Sequence, residues 1–176
     1  MTATVRFGWA GKSQSAAIAA LVNAAYRGEG SRLGWTTEAD FLSGQRTDGE
    51  MVEGLMDDAG SRFLVAWAAS GLVACAHLHR EGDSVWLGML AVQPVLQGQG
   101  IGTALIGEAE GRAMALWGAR RMRMCVLGGR DDLLAFYGRR GYRPTGERRP
   151  FPRDPRFGIP RVADLHFRVL EKPLGG

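Results

Sequence analysis

The sequence predicts a mixed α/β domain spanning residues 1–176, with a mostly antiparallel sheet of about seven strands flanked by about four helices. Three observations support this fold class. The chain has 176 residues, of which 45% are hydrophobic, as expected for one folded domain with a continuous core. Apolar residues follow helical spacing in the first part of the chain and form strand-like runs after it. Strand-like and helical segments then alternate, and there is no internal repeat or linker.

The first part of the chain combines a short strand with helical segments. Thr4–Phe7 is predicted as a strand. Ser13 or Ser15 is predicted to cap a helix whose apolar positions share one face: Ile18, Leu21, Val22 and Ala25. Thr37–Asp40 has the character of a capping box with Asp in place of Glu, which predicts the start of a second helical region. A further helical turn is expected at Glu50–Asp57.

Three apolar runs joined by short polar connections follow, and they predict three sequential antiparallel strands: Arg62–Trp67, Leu72–His79 and Val85–Val92. A glycine cluster separates them from an amphipathic helix at about Thr103–Trp117. The remaining elements are predicted as a strand, a helix and two closing strands: Arg121–Leu127, Asp131–Arg140, Tyr142–Arg149 and Val162–Lys172. The two closing strands are linked by the proline-rich loop Pro150–Pro160, whose length is typical of functional or disordered loops.

The net charge of +4 is unevenly distributed along the chain. Residues 1–117 carry 8 basic and 12 acidic residues, a net charge of −4, whereas residues 118–176 carry 14 basic and 6 acidic residues, a net charge of +8. A basic second half can attract nucleic acid, membrane phosphates or a phosphorylated cofactor, or it can be a solvated arginine-rich surface. Charge alone does not choose among these.

Cysteine content and apolar run lengths limit the class of protein further. Cys75 and Cys125 lie in separate apolar runs, so we expect two buried free thiols, with no disulfide and no metal site. No apolar run reaches the roughly 18 residues that a membrane span requires. The first residues lack the charged region and long apolar stretch of a secretory signal. These features favour a cytoplasmic protein without a membrane partner.

The segment Gln97–Gly102 (QGQGIG) is the strongest candidate for a binding site. No lysine lies near it, so it is not a P-loop. Its third glycine, Gly102, comes one residue too early for a dinucleotide fingerprint built on Gly98 and Gly100. The segment matches the pattern Gln/Arg-x-x-Gly-x-Gly/Ala, in which successive amides and a helix N-terminus face a pyrophosphate. A helix-capping turn without a ligand is the alternative.

A second motif follows in Phe136–Tyr142, where a helix ends in Gly-Tyr and carries Tyr137 one turn before its end. With the strand Leu87–Val92 and the loop Gln97–Gly102, this motif resembles the GNAT superfamily of acetyl-CoA-dependent N-acetyltransferases. The order of elements matches that superfamily over nearly the whole chain. The resemblance implies a V-shaped splay between the fourth and fifth strands, in which acetyl-CoA lies. It also implies direct acetyl transfer to a primary amine of a small molecule or peptide.

The resemblance assigns the cosubstrate to particular residues. The pantetheine arm would pair with backbone groups of Leu90, Ala91 and Val92. The pyrophosphate would take the amides of the loop and of the helix start: Gln97, Gly98, Gln99, Gly100, Ile101, Gly102 and Thr103. Tyr137 would protonate the departing thiolate, a role that suits a phenol because its reference pKa of about 10 keeps it protonated at neutral pH. A core aromatic with a satisfied hydroxyl is the alternative for Tyr137.

One position in the cofactor site departs from the superfamily pattern. Many members carry an asparagine in the loop before the last helix, whereas this chain has Gly128–Asp132 there. Arg130 is the candidate for a cofactor contact in its place.

The general base is the second departure. Many members place a glutamate on the fourth strand or bind a water there, but Val85–Val92 contains no ionisable side chain. His77 and His79 share one face of the preceding strand by alternation, and either could accept a proton directly or through water. They could equally face solvent or occupy satisfied core positions. Glu38 and Asp40 are weaker candidates, and the sequence does not name the base.

The resemblance places the amine acceptor between Tyr26–Asp58 and the loop Pro150–Pro160. The first of these segments is acidic, which suggests a cationic amine held by Glu29, Glu38 or Asp40. Neither the acceptor nor the preferred acyl chain can be read from the residues. Members of the superfamily often pair through strands or the C-terminal segment, so the resemblance also allows a homodimer.

Two other functions are compatible with the same residues. Arginines interleaved with aromatic residues in the second half permit a binding module for nucleic acid or phosphate surfaces, although no recognised reader motif is present. A non-catalytic CoA-binding domain of the same fold is the other alternative, and the intact motif residues argue against it: Gln97, Gly100, Gly102 and Tyr137. We therefore predict an acetyltransferase without a nucleic-acid partner.

Overall fold

The sheet predicted from the apolar runs is present in the computed structural model, which describes residues 4–175. Seven strands form it within that range: β1 Arg6–Trp9, β2 Ser61–Ala68, β3 Gly71–Glu81, β4 Ser84–Val92, β5 Arg121–Leu127, β6 Arg143–Pro150 and β7 His166–Pro173. Their order across the sheet is β1-β2-β3-β4-β5-β7-β6. Every neighbouring pair is antiparallel except β4 and β5, which are parallel.

Four α-helices lie in the described range: α1 Ser15–Tyr26, α2 Gly49–Met56, α3 Ile101–Trp117 and α4 Asp131–Gly138. The mixed α/β fold with about seven strands and four helices is therefore confirmed. A separate two-stranded sheet joins Leu42–Ser43 to Ile159–Pro160. It ties the segment after α1 to the loop between β6 and β7.

Side-chain alternation along the central strands distributes the core to both faces of the sheet. On β2, Leu64 packs with the α3 side, whereas Phe63 and Val65 pack with α1 and α2. Burial on both faces explains why the central strands read as continuous apolar runs rather than as alternating ones. Of the two cysteines, Cys75 is buried as predicted, but the prediction for Cys125 is wrong: its thiol is exposed.

The helix predicted to begin at Thr37–Asp40 is absent. The hydroxyl of Thr37 accepts a hydrogen bond from the amide of Ala39 at 3.1 Å, which closes a turn. Asp40 does not complete a capping box, because its carboxylate pairs with Arg32 at 2.7 Å. The serine caps predicted for α1 are also wrong. Gln14 is the N-cap residue and its side chain makes no capping hydrogen bond.

A β-bulge in β4 and a short β4–β5 pairing together open the sheet. Between the pairs Cys75–Ala91 and His77–Gly88, one residue of β3 faces two residues of β4, and Met89 has a φ of +46°. Bulges of this kind bend a strand and increase its twist. Parallel pairing with β5 is confined to residues 84–86 of β4 and 121–123 of β5. The strands separate beyond that point, which confirms the predicted V-shaped splay.

Candidate active site

A cleft of about 220 Å³ opens at the end of β4, between the glycine loop and α4. Its walls contain most of the residues predicted for the cosubstrate: Leu90, Val92, Gln97, Gly98, Gly100, Ile101, Gly102, Thr103 and Tyr137. Three predicted residues lie outside the walls: Ala91, Gln99 and Arg130, which is described below. Ala91 is buried in the cluster that packs against α1, and Gln99 is exposed. The two sequence motifs therefore converge on one cleft.

The glycine loop presents unpaired amides to open space. Gly98 and Gly100 have φ values of +81° and +84°, and a Cβ at either position would meet no atom within 4 Å. None of the amides of residues 98–103 donates a backbone hydrogen bond within the described chain, and the first that does is Ala104, to the Gly100 carbonyl at 3.0 Å. Gly100 caps α3 without a side chain. Free amides at the positive end of a helix form a site for an anion such as a pyrophosphate.

Gln97 fixes this loop to the end of β4. Its Nε2 donates a hydrogen bond to the carbonyl of Val92 at 3.1 Å. Gly34 lies so close to the same side chain that a Cβ there would be 2.1 Å from Oε1, so any other residue at that position would displace the Gln97 side chain. The segment around Gly34 thus closes over the loop and forms part of the cleft wall through its neighbour Trp35.

Arg140 also lines the cleft, and the sequence analysis did not assign it to the site. Its guanidinium lies over the ring of Phe136, 3.5 Å from the ring centroid, and its Nε donates to the hydroxyl of Thr103 at 3.1 Å. These contacts hold a positive charge beside the unpaired amides. Arg140 follows Tyr137 by three residues, about one helical turn, and both line the cleft.

Arg130, predicted to contact the cofactor, lies outside the cleft walls and is buried. Its guanidinium pairs with the carboxylate of Asp132 at 3.0 Å and donates hydrogen bonds to the Thr36 hydroxyl and the Thr37 carbonyl. These contacts occupy its donors and tie the start of α4 to the segment before Glu38. The structure therefore gives Arg130 a positioning role.

Tyr137 lies at the junction of two spaces. It lines the cleft and also a small cavity of about 40 Å³ between the separated parts of β4 and β5. The residue is buried, and no hydrogen bond to its hydroxyl is found within residues 4–175. Burial raises the pKa of this hydroxyl, and the nearby Glu38 carboxylate raises it further. The hydroxyl of Tyr137 is thus protonated and has no hydrogen-bond acceptor among residues 4–175. A core tyrosine with a satisfied hydroxyl would have one.

A larger cavity of about 480 Å³ lies next to the cleft. Both segments that the resemblance assigned to the acceptor contribute to its walls. Before β2 the lining residues are Tyr26, Arg27, Glu38, Arg46, Leu55 and Asp58; from the loop between β6 and β7 they are Phe151, Pro152 and Phe157. The exposed Cys125 lies in the same wall, which explains why an apolar strand pattern misplaced it.

Tyr26 connects the cleft with the larger cavity, and from the sequence it was known only as the first residue of the segment assigned to the acceptor. It lines both spaces, and its hydroxyl donates a hydrogen bond to the carbonyl of Leu90 at the bulge. This contact joins residues 64 positions apart in the chain. No local pattern marks such a contact, so only the fold reveals it.

The three acidic residues proposed to hold a cationic amine separate in the structure. Glu29 and Asp40 are exposed and pair with Arg32 at 3.1 Å and 2.7 Å. Glu38 alone lines the larger cavity, where it is buried and pairs with Arg27 at 2.5 Å. Of the three carboxylates, only that of Glu38 therefore lies in the cavity, and an arginine neutralises it.

His77 and His79 both line the larger cavity, as their alternation on one strand predicts. Their rings are stacked with centroids 6.4 Å apart, and Nε2 of His77 is 2.5 Å from the hydroxyl of Ser61. Burial lowers the pKa of His77 to about 4, so its imidazole is neutral at pH 7. His79 is half-exposed, with Nδ1 4.0 Å from the carboxylate of Asp58.

Lowering the pH from about 6.5 to about 5 is expected to reduce the free energy of unfolding by about 2 kcal/mol through His77. The folded protein holds the pKa of His77 at about 4, below the value near 6.5 of an unfolded chain. The unfolded state therefore binds more protons in this window, and stability is lost as the pH falls. Chemical denaturation at several pH values checks this. The slope should flatten in His77→Gln, and equal slopes in both proteins would contradict the assignment to His77.

Within the described residues there is neither a cluster of metal-binding side chains nor a membrane-spanning helix. Residues 4–175 contain no group of three or more His, Cys, Asp or Glu side chains placed to hold a metal ion. None of the helices in that range combines the length and the apolar character that crossing a bilayer requires.

The chain is similar in sequence to one known family: a model of the acetyltransferase (GNAT) family matches residues 32–142. Curated protein sequences give no significant match.

Several solved structures share the fold. The ribosomal-protein-S18-alanine N-acetyltransferase from Escherichia coli superposes with a TM-score of 0.71 at 13% identity, covering 98% of this chain and 96% of that one. The spermidine N-acetyltransferase from Vibrio cholerae, in complex with CoA and spermine, gives a TM-score of 0.69 at 13% identity, with 97% and 95% covered. A GNAT family acetyltransferase from Elizabethkingia anophelis with acetyl-CoA bound gives 0.56 at 16% identity, with 71% and 82% covered.

The family match covers more than half of the chain and includes the glycine loop and Tyr137. The splayed sheet and the uncapped start of α3 agree with it. This chain therefore belongs to the GNAT acetyltransferase family.

Proposed function

We propose that this protein transfers the acetyl group of acetyl-CoA directly to a primary amine of a small molecule or peptide. One observation carries the proposal: the hydroxyl of Tyr137, without a hydrogen-bond partner among residues 4–175, lies where the cleft with the amide cradle meets the small cavity between β4 and β5. That small cavity shares Tyr26, Gly88 and Met89 with the larger cavity. A donor in the cleft and an acceptor in the cavity would thus approach each other beside a proton source. The family match and the acetyl-CoA complex of a structural neighbour support the identity of the donor.

The chain's own residues would bind the donor by three features. The unpaired amides of residues 98–103 and the N-terminus of α3 suit the pyrophosphate. The guanidinium of Arg140 adds a positive charge beside them. The backbone of Leu90 and Val92 borders the cleft where the pantetheine arm would lie. Acetyl-CoA supplies an activated thioester when bound there.

Tyr137 would act as the general acid. Attack by a neutral amine forms the new C–N bond and breaks the C–S bond, and the thiolate then takes the hydroxyl proton of Tyr137. Burial keeps this hydroxyl protonated at neutral pH and leaves it without a competing acceptor. The proton lost by the amine enters the larger cavity, where the neutral His77 and the Glu38 carboxylate lie. Solvent returns a proton to Tyr137 for the next turnover.

Some arginines in the second half of the chain are engaged in ion pairs and are therefore less available to a nucleic acid. Arg123 pairs with Glu147 at 2.8 Å and with Glu171 at 3.2 Å. Arg149 pairs with Glu147 at 2.8 Å and lies over the ring of Trp86. Charges engaged in this way offer less to a phosphate backbone than the sequence count suggests.

Calorimetric titration with acetyl-CoA tests the proposal. We expect micromolar affinity for the unmodified protein. In Gly100→Glu we expect a loss of at least about 30-fold, because the side chain adds a negative charge beside the pyrophosphate and strains a residue with φ of +84°.

Gly107→Glu provides the matched control. Gly107 is exposed in the middle of α3, and a Cβ there meets no atom within 4 Å. We expect it to bind acetyl-CoA as the unmodified protein does. Absence of binding by the unmodified protein would reject the proposed function, and equal binding by Gly100→Glu would reject the cradle as its site.

A further inference from the structure

Arg46 lines the larger cavity, and its guanidinium has no ion-pair or hydrogen-bond partner among residues 4–175. Its backbone, by contrast, is firmly held. The Oδ1 of Asn23 accepts hydrogen bonds from the amides of Arg46 and Thr47 at 2.7 Å and 3.2 Å, and the Nδ2 of Asn23 donates to the Thr47 carbonyl at 2.9 Å. The chain therefore fixes where this guanidinium enters the cavity.

The other charges of the cavity do not neutralise Arg46. Arg27 and Glu38 pair with each other and cancel. Asp58 is the remaining acid in the walls, and its side chain is 54% exposed beside His79. Burial lowers the pKa of Arg46, an effect that the nearby Glu38 carboxylate opposes. Arg46 has no direct ion-pair partner among residues 4–175, and such a cation favours an anionic ligand group.

The rest of the cavity surface is largely apolar. The apolar lining residues include Leu55, Phe151, Phe157, Phe167 and, from β4, Trp86 and Met89. A cavity of about 480 Å³ accommodates a molecule of amino-acid size. Arg46 lines the larger cavity, and Tyr137 lines the cleft and the small cavity between β4 and β5. Tyr26 lines all three spaces and so connects the cation with the proposed acid.

We propose that the acceptor is an α-amino acid with an apolar side chain, whose carboxylate binds Arg46 while its amine faces Tyr137. The apolar side chain would lie against the phenylalanines of the cavity. This inference rests on the proposed acetyl transfer and replaces the cationic-amine pocket suggested by the sequence. An α-amino acid carries a carboxylate, an amine and a side chain on one carbon, which suits a cavity with an unpaired arginine and apolar walls.

The test compares acceptors that differ only at the carboxylate. We expect kcat/KM for L-phenylalanine to exceed that for 2-phenylethylamine and for L-phenylalaninamide by about tenfold to 100-fold, the range of a charge-assisted hydrogen bond. Equal or higher values for the two analogues that lack the carboxylate would overturn the inference. So would transfer to spermidine with none to the three phenyl compounds, although the proposed function would then stand. Transfer to no amine at all would count against the proposed function itself.

The Arg46→Met variant assigns the preference to this residue. The ratio of kcat/KM between L-phenylalanine and 2-phenylethylamine should fall to about one, and Arg46→Lys should retain part of it. Arg153→Met is the matched control, because Arg153 is exposed on the loop that contributes Pro152 to the cavity, and it should leave the ratio unchanged.

Stability separates a binding role from a structural one. Methionine keeps an apolar stem and removes a partly buried charge without an ion-pair partner among residues 4–175, so the unfolding temperature of Arg46→Met should not fall. A lower unfolding temperature together with an unchanged substrate ratio would show that Arg46 supports the fold instead, and would overturn the inference.

Discussion

Replacing Tyr137 by phenylalanine is expected to lower kcat by about 100- to 1,000-fold, the usual contribution of a general acid, with little change in acetyl-CoA affinity. The ring would still fill its place in the cleft wall, so binding contacts are retained. The variant loses only a hydroxyl that has no protein acceptor within the described chain. Single-turnover acetyl transfer under saturating acetyl-CoA measures the chemical step, and calorimetry measures the affinity.

Tyr142→Phe is the matched control for this substitution. Tyr142 is also buried, and its ring centroid lies 6.0 Å from that of Tyr137. Its hydroxyl, however, donates to Oε1 of Glu110 at 2.8 Å and does not line the cleft. This variant should lower stability and leave the single-turnover rate near that of the unmodified protein. A normal rate in Tyr137→Phe would remove the proposed acid.

The Glu38→Gln substitution is expected to lower the free energy of unfolding by about 3 kcal/mol, and the unfolding temperature by roughly 6–12 °C. Glu38 pairs with Arg27, and their side chains are 10% and 5% exposed. Arg27 also donates to the Phe157 carbonyl at 2.9 Å, and its Nε is buried without a partner in the described chain. Glutamine would leave a buried guanidinium without its counter-ion, which costs more than the lost attraction.

An exposed pair offers the comparison. Glu29 pairs with Arg32 at 3.1 Å, but its side chain is 86% exposed. Glu29→Gln should therefore change the free energy of unfolding by less than about 0.5 kcal/mol. Thermal unfolding of both variants at pH 7 decides the matter. If the two lose similar stability, the Arg27–Glu38 pair does not anchor the wall of the larger cavity.

Most of the fold could be predicted because its signals are local. The apolar runs of β2, β3 and β4 differ from their predicted bounds by one or two residues. The glycine loop was recognised because its spacing leaves few other uses, and two glycines there have positive φ values that other residues rarely adopt. The helix expected at Thr37–Asp40 does not form, because the carboxylate of Asp40 pairs with Arg32 and does not complete a capping box.

The sequence predicted most residues of the cleft, and for the larger cavity it predicted two wall segments and two histidines but not which charges remain unpaired. The proposed donor contacts come largely from one continuous segment, so a motif describes them. The acceptor cavity comes from contacts between distant residues, such as Arg27 with Phe157, 130 positions apart. Arg130 was assigned to the cofactor from its place before α4, but Thr36, 94 positions away, binds its guanidinium instead.

By itself the sequence determined the order of the elements, the glycine loop and the tyrosine of α4, because hydrophobic period and backbone conformation depend on neighbouring residues. Only the tertiary structure decided which charged side chains of the cavity have no ion-pair partner. Glu38 pairs with Arg27, and Glu29 and Asp40 lie outside the cavity. Arg46 lines the cavity and has no ion-pair partner among residues 4–175. Charge in a folded protein depends on partners and burial, and both are set by chain segments that meet only after folding.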